Sequence, residues 1–196
     1  FMQPIYVSIT YSLEANATKI EVEFFDDKEI IDDCVINSFK IKDNGDGFNE
    51  KNIKSFNTYR SDYKKDNGCK GVGRFTWLKV YKNIHIESII KNKKIEIFFS
   101  LDSKNNTFNE KDIENIKDSI SENNTIITFD TLNEYYLKRR EKINLEIIKK
   151  NIKENLFIKL FLLKEKHADF SIEIKYKDNI LRLSEDDLEE CCKEEF

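Results

Sequence analysis

The chain has 196 residues, with 33 Lys and Arg against 37 Asp and Glu for a net charge of −4, and it is 39% hydrophobic and 36% charged. That length allows one well-buried core, and 15 Phe, eight Tyr and a Trp supply enough apolar area to exclude a disordered chain. Mild acidity, with no Lys/Arg block free of nearby acids, gives no reason to expect a nucleic-acid partner. No apolar run reaches the roughly 20 residues of a membrane span.

In chain order, Pro4 in a first turn and the stripe Ile5, Ile9, Leu13 predict a helix from Gln3 to Ala15. Lys19 to Phe24 alternates polar and apolar residues and predicts a half-buried strand; a second strand, Ser38 to Lys42, runs into Asp43-Asn44-Gly45-Asp46-Gly47. Asn49 caps a predicted helix from Glu50 to Phe56. The polar stretch Asn57 to Lys70 predicts a mobile loop, and Val72 to Val80 a buried helix. Strands follow at Ile84 to Ile90 and Lys94 to Leu101, then a polar insert from Asp102 to Asn124 and a strand from Thr125 to Phe129. A long helix from Tyr135 to Leu163 and a hairpin, Phe170 to Tyr176 and Ile180 to Leu183 turned by Asp178-Asn179, complete the pattern. These elements predict an α/β (α+β) two-layer sandwich, a mixed and mostly antiparallel sheet with helices on one face, in a single domain over residues 1–190. Met2 behind Phe1, and an end without a terminating pattern, predict a segment of a longer chain.

Four cysteines, Cys34, Cys69, Cys191 and Cys192, show neither metal spacing nor a disulfide framework, which predicts reduced thiols and a cytoplasmic setting. The two histidines are far apart in sequence.

All five glycines fall in two clusters, Gly45 and Gly47 in the first and Gly68, Gly71 and Gly73 in the second. Asp43, at a strand end beside two glycines, can accept a hydrogen bond from an exocyclic amine while the glycines let a flat ring pass over the backbone. The second cluster places backbone N–H groups and Lys70 at a predicted helix start, a ready anion site. A calcium hand fails because its twelfth position, counted from Asp43, is Lys54; a P-loop fails for want of Gly-Lys-Ser/Thr. Two turns that bind nothing remain a reading of these residues.

Asp-x-Gly-x-Gly, then Gly-x-x-Gly-x-Gly, then a strand opening on Thr125 resembles the ordered motif set of the GHKL superfamily, that of type II topoisomerase ATPase subunits, heat-shock-ninety-type chaperones, sensor histidine kinases and MutL-type repair proteins. Ser12 to Ile20, Ser-Leu-Glu-Ala-Asn-Ala-Thr-Lys-Ile, resembles the family's passage out of its first helix. The resemblance extends from about Gln3 to Leu183 and implies binding of ATP or ADP, with Mg²⁺ where hydrolysis is retained. It implies that Asp43 binds the adenine amine, that Gly45 and Gly47 turn beneath the base, and that Thr125 holds base-side water. Gly68, Lys70, Gly71, Val72 and Gly73 would form the phosphate cradle, residues 57–70 the lid, and a homodimer or further domains the partners. The family's first helix offers a Glu that activates water and, one turn later, an Asn that ligates magnesium; here those positions read Val7 and Tyr11. The resemblance therefore implies nucleotide binding more strongly than turnover, with a chaperone-like ATP-binding protein as the expected kind and a pseudo-ATPase interaction module as the alternative.

Overall fold

Period-two alternation sets the sheet. In β1 (Lys19–Phe25) Ile20, Val22 and Phe24 are buried while Glu21 and Glu23 point away, and β2 (Ser38–Asp43) repeats the pattern with Phe39, Ile41 and Asp43 inside. The computed structural model describes residues 1–26, 35–58, 73–100, 113–115, 123–140, 142–165 and 169–188. The lid expected at 57–70, except for its first two residues, lies outside them, as do Gly68, Lys70, Gly71, Val72 and all four cysteines.

The remaining elements are α1 (Gln3–Glu14), α2 (Glu50–Asn57), α3 (Gly73–Val80), β3 (Tyr81–Ile90), β4 (Lys93–Ser100), β5 (Ile113–Asn115), β6 (Asn124–Leu132), α4 (Glu134–Leu137), α5 (Leu145–Glu165), β7 (Ser171–Tyr176) and β8 (Asn179–Leu183). The described strands form one sheet in the order β5-β4-β3-β6-β2-β1-β7-β8, in which only β1 and β7 pair in parallel. The mixed, mostly antiparallel sheet read from the sequence is therefore the fold.

Helices α1, α3 and α5 pack over the apolar face of this sheet through Ile5 and Ile9, Trp77 and Leu78, and Ile152 and Leu160. Phe39 and Phe129, on adjacent strands, stack with ring centroids 4.2 Å apart, and Trp77 meets Phe129 edge-on at 5.3 Å. Each such aromatic side chain contributes about 1.5–3 kcal/mol by leaving water. The other face is charged and laced by Lys175–Glu21 (2.7 Å), Arg182–Glu173 (2.7 Å) and Lys94–Glu87 (3.1 Å), exposed pairs that add little stability.

Several expectations need correction. The helix foreseen from Tyr135 to Leu163 is two helices, because Asn144 starts a new one: its Oδ1 accepts from Ile147 N–H (3.1 Å) and its carbonyl from Ile148 N–H (3.0 Å), while Lys142 bridges to Val35. The polar insert from Asp102 to Asn124 contains β5, and α3 passes into β3 at Tyr81 without a loop. The hairpin turns on Lys177-Asp178, with Lys177 at φ 53°, instead of Asp178-Asn179. Concentrating the glycines did not concentrate left-handed backbone either: Asn16, Lys91, Asn92, Thr131 and Lys177 all take positive φ, whereas Gly47 is the one glycine that does so among the described residues. Asn16 ends α1 in this way and ties its side chain to Asp46 Oδ2 at 2.8 Å.

Candidate functional site

Helix α1 ends in a turn that carries the first glycine cluster. The carbonyl of Ala15 accepts from Asp46 N–H (2.7 Å), and Asn44 Oδ1 accepts from the N–H groups of Thr18 and Lys19, both at 2.9 Å. The loop is thereby pinned to the floor of a cavity of about 450 Å³ between α1, α2, α3 and the sheet, within the size range of small-ligand sites.

Asp43 lines this cavity and is 6% exposed. Ser12 Oγ donates to its Oδ2 at 2.8 Å and Gly45 N–H to its Oδ1 at 2.9 Å. Burial pushes the carboxyl above its usual range, and these two donors only partly oppose that. A side chain on Gly45 would meet the Ala15 carbonyl at 2.7 Å, so glycine there lets the loop seat against α1. Across the β2–β6 pair, Asp43 stands opposite Thr125, whose hydroxyl is 3.0 Å from Ser88 Oγ; Ser88 Oγ also accepts from Phe48 N–H at 3.1 Å. Gly47, at φ 62°, must be glycine twice over, because a Cβ would also meet Ser88 Oγ at 2.6 Å.

The wall also includes residues of α1 and the start of α3. Val7 and Tyr11 line it together with Gly73 and Arg74, and Tyr11 packs edge-on against Trp77 at 5.7 Å. A Cβ on Gly73 would overlap the Tyr11 hydroxyl and come within 3.1 Å of Val7 Cγ1. Arg74 is 7% exposed; its guanidinium lies 5.0 Å from the Phe56 ring and 4.6 Å from the Phe75 ring, and Nη2 donates to the Thr58 carbonyl at 3.4 Å. Burial draws its pKa down, and neighbouring Tyr11 opposes this. Glu14 and Lys159, paired at 3.0 Å, border the cavity between α1 and α5.

Of the residues singled out in the sequence, Asp43, Gly47, Gly73 and Thr125 thus line one cavity, Gly45 stands behind Asp43 as its N–H donor, and Gly68, Lys70, Gly71 and Val72 lie outside the described residues. Ser12, Ser88, Trp77 and Arg74 were not foreseen. Ser12 and Ser88 are legible only through pairings with residues 31 and 37 positions away. Arg74 directly follows the last glycine, which is the one local signal that could have found it.

An adenine nucleotide fits this set. Asp43 offers buried acceptor oxygens on the wall, and Trp77 brings a buried indole N–H that has no partner among the described residues. Magnesium at positions 7 and 11 does not fit: isopropyl has no donor atom and a neutral phenol is a poor oxygen ligand for a strict octahedron. Among the described residues no group of three His, Cys, Asp or Glu could hold a metal ion, and no helix is long and apolar enough to cross a membrane.

Residues 8–135 match the family described as histidine kinase-, DNA gyrase B-, and HSP90-like ATPase. No curated protein matches the chain. Among solved structures, the fold is similar to the ATP-binding domain of topoisomerase IV from Francisella tularensis, in complex with a small-molecule inhibitor, at 20% identity and TM-score 0.54 over 91% of this chain and 83% of that one. It is similar too to the 43K ATPase domain of Thermus thermophilus gyrase B in complex with an aminocoumarin (13% identity, TM-score 0.56, 93% of this chain, 45% of that one). The Aquifex aeolicus MutL ATPase domain complexed with ADP is a third (16% identity, TM-score 0.52, 97% and 65%). At such identities the likeness is one of fold, and the chain spans less than two thirds of the last two.

Proposed function

Because the chain belongs to the histidine kinase-, DNA gyrase B- and HSP90-like ATPase family, we propose that it binds ATP or ADP in this cavity, with the base at Asp43 and the phosphates toward Gly73. The observation that carries this reading is the Asp43 carboxylate: buried on the cavity wall, held by Ser12 and Gly45, and facing Thr125 across the strand pair. Each carboxylate oxygen has already accepted one bond and retains a second lone pair for an exocyclic amine. Desolvation makes that bond selective, since a ring without the amine would leave the buried acceptor unpaired. Thr125 supplies a hydroxyl on the cavity wall, held by Ser88.

When bound, ATP supplies the concentrated negative charge that its cradle must meet. On this reading, taken from their place in the sequence, Gly68, Lys70, Gly71 and Val72 would join Gly73 in that cradle, and residues 57–70 would serve as the lid. Nucleotide-dependent closure would then promote dimerisation or docking of further domains, in a cytoplasmic setting. Turnover has weak support, because Val7 cannot take a proton from water. Binding without hydrolysis is the reading favoured by Val7 and Tyr11 together.

Thermal shift with ATP, ADP and a non-hydrolysable analogue, with and without Mg²⁺ and beside a phosphate-release assay, tests this. A nucleotide at 100 times its dissociation constant should add about 2.7 kcal/mol. Asp43→Asn should remove the shift; no shift with any nucleotide on the wild-type chain would reject the proposal.

A further inference from the structure

We propose that Arg74 neutralises the nucleotide's phosphates in place of a magnesium ion, so that this chain binds its nucleotide independently of divalent metal. The inference rests on the nucleotide reading above and adds which charge meets the phosphates.

A buried cation without a counter-charge is costly, and Arg74, on the cavity wall, meets no carboxylate among the described residues. Lys159, which also borders the cavity, is already paired with Glu14. The guanidinium lies over the rings of Phe56 and Phe75. Stacking uses the π surface and leaves the N–H groups along the edge, where a single long bond to the Thr58 carbonyl is the one acceptor contact among the described residues. A guanidinium fixed in this way presents a planar fork matched to two phosphate oxygens, and it is desolvated more cheaply than an ammonium. Tyr11 and Val7, the side chains that remove the oxygen ligands a metal would need, line the same cavity beside Gly73.

The test measures binding of adenosine, ADP and ATP by calorimetry and by fluorescence of Trp77, the chain's single tryptophan and part of the cavity wall. Each titration is run in EDTA and in Mg²⁺. The wild-type chain should bind ADP in EDTA within about threefold of its affinity in Mg²⁺, and about tenfold or more tighter than adenosine. Arg74→Gln should bring ADP down to the adenosine level with adenosine unchanged, and Arg74→Lys should fall between, with circular-dichroism melts checking that each variant folds. If ADP exceeds adenosine only in Mg²⁺, or if Arg74→Gln weakens adenosine as much as ADP, the inference is overturned while the nucleotide reading stands. If none of the three ligands binds the wild-type chain, the nucleotide reading falls and takes the inference with it. The wild-type comparison decides even if the variants do not fold.

Discussion

The hydroxyl of Tyr11 stands where a side chain on Gly73 would begin, so the first helix and the start of α3 are fitted to each other through an absent methyl group. This glycine does not have positive φ. Its smallness serves close packing. Gly73→Ala should therefore destabilise the wild-type chain by about 1–3 kcal/mol through overpacking. In a Tyr11→Ala background the same change should be neutral or stabilising by about 0.4–1 kcal/mol, through the lost freedom of the unfolded chain. Urea denaturation of the four proteins gives the coupling, and equal costs in both backgrounds would sink the prediction.

Asp43→Asn should change the pH dependence of stability in a defined direction. Burial raises the Asp43 carboxyl above its usual 3.8, so in the window between those two values the folded chain holds a proton that the unfolded chain has released. Stability from this group is present below 3.8 and is lost as pH rises through the folded value. Asparagine carries no such dependence, and Ser12 Oγ can turn to accept from its amide. Denaturation from below pH 3.8 to neutrality should show the variant gaining on the wild type as pH rises; a variant that loses ground to the wild type over that range would contradict the assignment.

Gly47→Ala places a methyl group against Ser88 Oγ at a backbone angle that alanine resists, and should cost about 1–3 kcal/mol for backbone strain, with overpacking in addition. Ser88→Ala should cost about 1–3 kcal/mol by leaving Phe48 N–H without its acceptor. Combining the two should cost less than the sum, because removing Ser88 Oγ removes the closest clash. Melting temperatures of the single and double variants check this.

Phosphate release from ATP by the wild-type chain should stay at background. The double substitution Val7→Glu with Tyr11→Asn restores a carboxylate and an amide oxygen to two positions that line the cavity together, and it should produce release that requires Mg²⁺. Comparable release from wild type would show that another group acts as base.

Much of the fold was legible because it is written in short-range patterns. Ile5, Ile9 and Leu13 mark the buried stripe of α1, and Ile20, Val22 and Phe24 mark the inner face of β1. The break between α4 and α5 was missed because it depends on Asn144 as a cap and on Lys142 bridging to Val35, over a hundred positions upstream. Scarce glycine does not mark where the chain bends, since Asn16, Lys91, Asn92, Thr131 and Lys177 all take positive φ.

By itself the sequence determined the family and the order of motifs along the chain, since spacing and periodicity are local properties. Only the tertiary structure decided what those motifs face. The register of β2 against β6 sets Asp43 opposite Thr125, and the pairing of β3 with β6 sets Ser88 against Thr125 from the other side. The close approach of α1 to α3 sets Tyr11 and Val7 against Gly73 and closes Arg74 into the cavity wall. Those relations arise because burying one continuous apolar face forces distant segments together, and the polar groups at its margin then meet partners that no local pattern specifies.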